Sequence, residues 1–126
     1  MKLLDTTVAI DHLRGADSAR ELLREIVGAG VRIGASELVR FELLAGVRQA
    51  EAPDLEDFSA TLVWFPVGTD VARLGAALAR RYRSSHSGIE DVDYLIAATA
   101  LLLEAELLTT NVKHFPMLEG LAPAYG

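Results

Sequence analysis

The stretch Asp93-Tyr94-Leu95-Ile96-Ala97-Ala98-Thr99-Ala100-Leu101-Leu102-Leu103 has the pattern of an apolar helix with one carboxylate near its start. At roughly 100° per residue, Asp93 shares a face with Ile96, Ala97 and Ala100, so it points where the helix packs rather than into water. A buried acid without a partner is costly. No Lys or Arg lies between Arg83 and Lys113, so the partner of Asp93 comes from far along the chain or is a cation. Asp91, about 200° away around the same helix, cannot face the same site.

Two other carboxylates pose the same problem. Asp5 ends the apolar opening Lys2-Leu3-Leu4, and Glu42 has the uncharged Leu38, Val39, Ala45 and Gly46 as its helical neighbours. Each acid alone has an ordinary explanation: Asp5 as a helix cap, Glu42 as a solvated helix residue, Asp93 as a first-turn acid favoured by the helix dipole. Three such acids, each at an element end or on a packing face, point instead to a shared site.

At 126 residues, 51% of them hydrophobic, the chain suits a single domain over 1–126 with one sizeable core. There is no Cys, which excludes disulfides and thiolate metal sites. After Met1 only Lys2, Leu3 and Leu4 stand before Asp5, so no secretory apolar region is expected there. The run from Tyr94 to Leu103 falls far short of a membrane span of about 20 residues. A cytoplasmic protein is expected. The net charge of −6 argues against a protein that coats nucleic acid by charge alone. Arg80, Arg81 and Arg83 form a local basic cluster, suited equally to complementing a helix C-terminus and to steering a charged substrate.

Along the chain, Lys2-Leu3-Leu4 predicts a central strand, followed by a helix capped at Thr6 or Thr7 and running through Leu13. A second helix spans Ala19 to Val27, stopped by Gly28 and Gly30, and Val31-Arg32-Ile33 predicts a strand. Ser36 caps a helix to about Val47 that carries Glu42. A further helical piece opens at Pro53, and Leu62 to Val67 is a strand whose Pro66 suggests a sheet edge. From Thr69 a helix places Val71, Leu74, Leu78 and Tyr82 on one face, most simply core. Ser87 with Glu90 has capping-box spacing and predicts that the Asp93 helix starts near Gly88. Leu107 to Thr110 is a strand ending at Asn111, Val112 to Phe115 one helical turn, and Leu121-Ala122 a final strand. Strands alternating with helices imply an α/β fold with a mostly parallel central sheet covered by helices on both faces.

In such a sheet ligands bind outside the carboxyl ends of the strands, where strand order reverses. Asp5 and Asn111 stand at such ends, and helices starting at the same rim would bring Glu42 and Asp93 inward. Two carboxylates about 4 Å apart repel by roughly 4 kcal/mol at an effective dielectric near 20, so protons or a divalent cation must relieve the set. Oxygen ligands of Asp, Glu and Asn suit Mg²⁺ or Mn²⁺, not zinc. His12, His86 and His114 lack metal-ligand spacing and are expected on the surface or as caps. Carboxylate-held Mg²⁺ most often serves phosphate chemistry. There is no Gly-rich phosphate loop with Lys, and Thr7 stands where a haloacid-dehalogenase-type phosphatase needs a second Asp. The paired acids of a response-regulator receiver are also missing.

Four segments together resemble a PIN-domain ribonuclease of the VapC toxin type: Asp5-Thr6-Thr7-Val8-Ala9-Ile10-Asp11, Glu42-Leu43-Leu44-Ala45-Gly46, Asp93-Tyr94-Leu95-Ile96-Ala97-Ala98-Thr99-Ala100, and Leu108-Thr109-Thr110-Asn111-Val112-Lys113-His114-Phe115. Their order and spacing cover essentially the whole chain. The resemblance implies a three-layer PIN-like fold and a metal-dependent endoribonuclease that acts as the toxin of a type II toxin–antitoxin pair. By motif position Asp5, Glu42 and Asp93 would hold the metal, with Asn111 where relatives carry a fourth acid or Asn, and Thr7 supporting Asp5. Mg²⁺ or Mn²⁺ would activate a water for in-line attack, leaving a 5′-phosphate without need of the 2′-hydroxyl. Arg80, Arg81 or Arg83 would hold the RNA backbone. The implied partners are a cognate antitoxin, with an Arg- or Lys-bearing tail suited to an acidic cleft, and a second copy of the chain. Two other readings remain: a catalytically silent PIN-like module that binds RNA or protein, and a small metal-dependent phosphatase.

Overall fold

A computed structural model describes residues 1–126. Four short strands make one sheet: β1 (Lys2–Leu4), β2 (Ile33–Ser36), β3 (Val63–Phe65) and β4 (Glu106–Leu108). Six helices connect and cover them: α1 (Thr6–Leu13), α2 (Asp17–Gly28), α3 (Glu37–Gly46), α4 (Ala52–Ser59), α5 (Thr69–Tyr82) and α6 (Asp91–Leu103). The order is β3-β2-β1-β4 and every pairing is parallel. The expected α/β fold is thus found, with the sheet parallel throughout.

The chain builds outward from β1 through β2 to β3, then returns to add β4 on the other side of β1. Strand order therefore reverses between β1 and β4, and the carboxyl end of β1 faces the crevice where such sheets bind ligands. Leu3 pairs with Gly34 on one side and Leu107 on the other, and Leu4 pairs with Leu108. All of these leucines are 4% exposed or less, so β1 past Lys2 is covered on both faces. β3 lies at the edge, as Pro66 beside it suggests.

Several local details depart from the sequence expectation, among them β4, which ends at Leu108 rather than Thr110, and one expected strand does not form. β2 begins at Ile33 rather than Val31, because Gly30 takes a left-handed φ of +76° and the Val31 N–H turns back to the Ile26 carbonyl, closing α2. After Ile33 the strand is made of small buried residues, and a Cβ on Gly34 would lie 2.5 Å from Phe65 Cε2 unless that ring shifted. α6 begins at Asp91, not Gly88, whose φ of +83° cannot enter a right-handed helix. On α5 the buried line is Val71-Gly75-Ala79, with Leu74, Leu78 and Tyr82 only partly covered. The reason is close approach of α6: a Cβ on Gly75 would meet Leu95 Cδ2 at 2.9 Å. Leu121-Ala122 forms no strand, since Pro123 removes a donor and the tail is tied instead by Ala124 N–H to the Thr109 carbonyl at 2.8 Å. No helix is long and apolar enough to cross a membrane.

Candidate active site

β1 delivers Asp5 to the reversal point of the sheet. Asp5 is 5% exposed, and its N–H donates to the Leu108 carbonyl at 2.9 Å. It occupies the N-cap position of α1, yet its side chain makes no capping bond. Instead Oδ2 accepts from Thr109 Oγ1 at 2.7 Å and from Thr7 Oγ1 at 3.2 Å. The ordinary explanation of Asp5 as a cap therefore fails, and Thr7 touches Asp5 as expected.

Glu42 comes from the middle of α3, whose start is fixed by Ser36 Oγ accepting the Leu38 N–H at 3.1 Å. It is no solvated helix residue: its Oε1 accepts from Thr6 Oγ1 at 2.8 Å across the α1–α3 junction. Its carboxyl is held above its ordinary value, chiefly by burial, with the charges of Asp5, Asp93 and Glu90 adding and the Thr6 bond opposing.

Asp93 satisfies two explanations at once. As the third residue of α6 its Oδ2 accepts the Glu90 N–H at 3.0 Å, a capping contact one turn later than the expected Ser87–Glu90 pair. Its face is nonetheless the packing face, with Ile96, Ala97 and Ala100 each 2% exposed or less and the Asp93 side chain 15% exposed. Burial pushes its carboxyl upward and the Asp5 charge adds, while the Glu90 N–H and His114 work against this. Asp91 faces away and pairs with Arg83 at 2.7 Å.

The three acids thus converge on one rim from β1, α3 and α6 and feel one another's charge, although no three acidic or imidazole side chains are drawn together as a preformed metal cage. Each spends one oxygen on protein donors: Asp5 Oδ2, Glu42 Oε1 and Asp93 Oδ2. The other oxygen of each has no hydrogen bond within the chain. Three carboxylates, each with one oxygen free of protein hydrogen bonds, are a donor set whose chemistry fits a hard divalent cation. Asn111 opens the turn after β4, where its N–H donates to Thr109 Oγ1 at 3.0 Å and its side chain enters no hydrogen bond within the chain.

The basic cluster lies at the C-terminal end of α5. Arg80 is exposed, Arg81 lies 5.4 Å from the Tyr82 ring, and Arg83 is engaged by Asp91 at the first turn of α6.

Sequence reasoning missed several contacts here. His114, expected at the surface, has Nδ1 3.0 Å from Asp93 Oδ2. His12 is not a surface residue either: it is partly buried and stacked on Phe58 at 4.4 Å, so that burial and Arg20 lower its pKa. Glu90 adds a fourth negative charge beside Glu42, and Thr6 and Thr109 hold two of the acids. A hydroxyl following each strand-end position was the available signal for the threonines. His114 carried none, because its partner is in a different element.

The PIN domain family matches residues 2–118. Over 125 residues the chain is 62% identical to Ribonuclease VapC19 of Mycobacterium tuberculosis, covering 99% of this chain and all of that one. Ribonuclease VapC10 of the same organism is 40% identical over 99% of this chain and 93% of its own. Among solved structures, VapBC2 from Rickettsia felis bound to a promoter DNA fragment aligns with a TM-score of 0.82 at 23% identity, covering 97% of this chain and 96% of that one. A toxin–antitoxin complex from Klebsiella pneumoniae aligns with a TM-score of 0.80 at 24% identity, over 99% and 98% of the two chains. At those identities the structures speak for the fold, while the full-length relatives speak for the family. The chain belongs to the PIN-domain family and, within it, to the VapC ribonucleases.

Proposed function

We propose that this chain is a metal-dependent endoribonuclease, the toxin of a type II toxin–antitoxin pair, and that Asp5, Glu42 and Asp93 hold Mg²⁺ or Mn²⁺ beside Asn111. The observation that carries the site assignment is the shared pattern of the three carboxylates. Each is fixed through one oxygen by a hydroxyl or N–H donor and leaves the other open on the same rim. Bound there, the cation lowers the pKa of a water and offsets charge on the phosphodiester.

The protein supplies the orientation. Thr7 and Thr109 aim Asp5 through Oδ2, Thr6 aims Glu42 through Oε1, and the first turn of α6 aims Asp93. The raised pKa values of Glu42 and Asp93 mark the repulsion and burial that a divalent cation relieves. Asn111 in place of an acid lowers the charge of the set by one. Arg80 and Arg81, unpaired with any acid, are the better placed of the cluster to meet RNA phosphates, since Arg83 is engaged with Asp91. Hydrolysis by an in-line water leaves a 5′-phosphate and does not call on the 2′-hydroxyl.

The partner implied is an antitoxin whose Arg- or Lys-bearing tail covers the acidic rim, and the working assembly is a homodimer in the cytoplasm. The deciding assay is cleavage of end-labelled total RNA by purified protein with Mg²⁺ or Mn²⁺ against chelator, beside Asp93→Asn. Discrete products that need both metal and Asp93 are expected. RNA binding without metal-dependent products would support the silent module instead.

A further inference from the structure

The turn after β4 reaches two of the acids at once. At its start Thr109, fully buried, donates to Asp5 Oδ2 at 2.7 Å, and at its end His114 places Nδ1 3.0 Å from Asp93 Oδ2. The turn between them is well tied. Asn111 N–H donates to Thr109 Oγ1 at 3.0 Å, Thr110 N–H to Thr7 Oγ1 at 3.2 Å, and His114 N–H to the Asn111 carbonyl at 3.1 Å. Phe115, 1% exposed, anchors the far end in the core. A short braced segment therefore sets where two carboxylates from different elements stand relative to each other.

Asp93 needs that second hold. Apart from His114, its carboxyl group has one donor, the N–H of Glu90 at the N-cap of α6. A carboxylate accepts only, so His114 contributes the N–H of Nδ1, and two donors on Oδ2 fix the group and leave Oδ1 without a protein partner. Outer partners that orient a metal ligand in this way are what keep its free oxygen in place.

We propose that His114 is a positioning residue for the metal site: its Nδ1–H fixes Asp93 through Oδ2 and so holds Oδ1 ready for the cation. Together with Thr109 it makes the turn after β4 the element that sets the spacing of Asp5 and Asp93. This inference rests on Asp93 being a metal ligand. A purely structural role, tying the turn to α6, predicts loss of stability without a change in metal affinity.

The test is Mn²⁺ binding to the whole chain, followed by the electron paramagnetic resonance signal of free Mn²⁺, with thermal unfolding in chelator for every variant. His114→Ala is expected to weaken Mn²⁺ by roughly 10–100-fold. His114→Asn, whose amide N–H replaces that of Nδ1, recovers most of the loss. His114→Phe keeps the ring volume without the donor and serves if the alanine variant does not fold; it is expected to bind as weakly. Wild-type affinity in the folded alanine or phenylalanine variant, with Asp93→Asn weakened, overturns the role of His114 and leaves Asp93 as a ligand. Wild-type affinity in Asp93→Asn overturns the ligand assignment itself, and this inference with it.

Discussion

The two ends of the parallel sheet are built on opposite terms. At the carboxyl end, acids from β1, α3 and α6 are held one by one through directed hydrogen bonds from threonines, a histidine and a helix N-terminus. At the amino ends of β2 and β3 lies a groove of about 1160 Å³ whose lining includes His12, Leu23, Phe58, Arg20, Arg24 and Arg32. There ring stacking and apolar burial dominate, and His12 Nδ1 has no partner at all. By contrast, the recess beside Glu42 measures only about 130 Å³. Cavity size alone would therefore point away from the proposed site. The acidic end is set apart by the directed donors on each of its three carboxylates.

If that contrast is right, the two ends fail differently. The largest effect is expected from Asp93→Asn, which should lower RNA cleavage by more than the roughly 10–100-fold typical of losing an outer partner. Its thermal midpoint in chelator should hold or rise, since one of three repelling charges is gone; a large fall would mean the acid serves folding instead.

Leu23→Ala should do the reverse. Leu23 is 5% exposed beneath the groove, so the truncation should cost about 2–5 kcal/mol in denaturant unfolding. Cleavage per folded molecule should not change.

Thr109→Val sharpens the comparison, because it alters shape little while removing the 2.7 Å donor to buried Asp5. A hydrogen bond to a charged group contributes about 1.5–3 kcal/mol, and a loss of that order is expected together with weaker Mn²⁺ binding.

The smallest effects concern pH, and the two ends should show opposite signs. His12 has a lowered folded pKa, so the unfolded chain takes up a proton first as pH falls through about 6.5. Its contribution is therefore present above that pH and lost below. Glu42 and Asp93 have raised folded pKa values, so the metal-free folded state takes up protons first. They should make the protein more stable as pH falls toward the ordinary carboxylate range near about 4. Unfolding in chelator across this range should lose the first slope in His12→Gln and the second in the double variant Glu42→Gln with Asp93→Asn.

Much of the proposed carboxyl-end site is legible in the sequence. The apolar run around Asp93 and the uncharged neighbours of Glu42 made each acid conspicuous through local spacing alone. Sheet edges and helix starts with strong side-chain signals, such as Pro66 and Ser36, were legible for the same reason. The start of β2 was not, because Gly34-Ala35-Ser36 has poor intrinsic strand preference and forms a strand only where its neighbours leave space for small residues. The buried line on α5 was not either. Periodicity favours the bulky Leu74 and Leu78, whereas the fit against Leu95 selects Gly75.

Residue pattern is enough to give the alternation of strands and helices, the parallel sheet that follows from it, and which carboxylates stand on packing faces. Those depend on residue type and spacing over a few turns of chain. Tertiary structure alone decided that β4 lies beside β1, and hence that Thr109 reaches Asp5 and His114 reaches Asp93. Contacts between residues so far apart in sequence leave no local pattern. They arise when the sheet closes its strand order and sets two chain segments side by side.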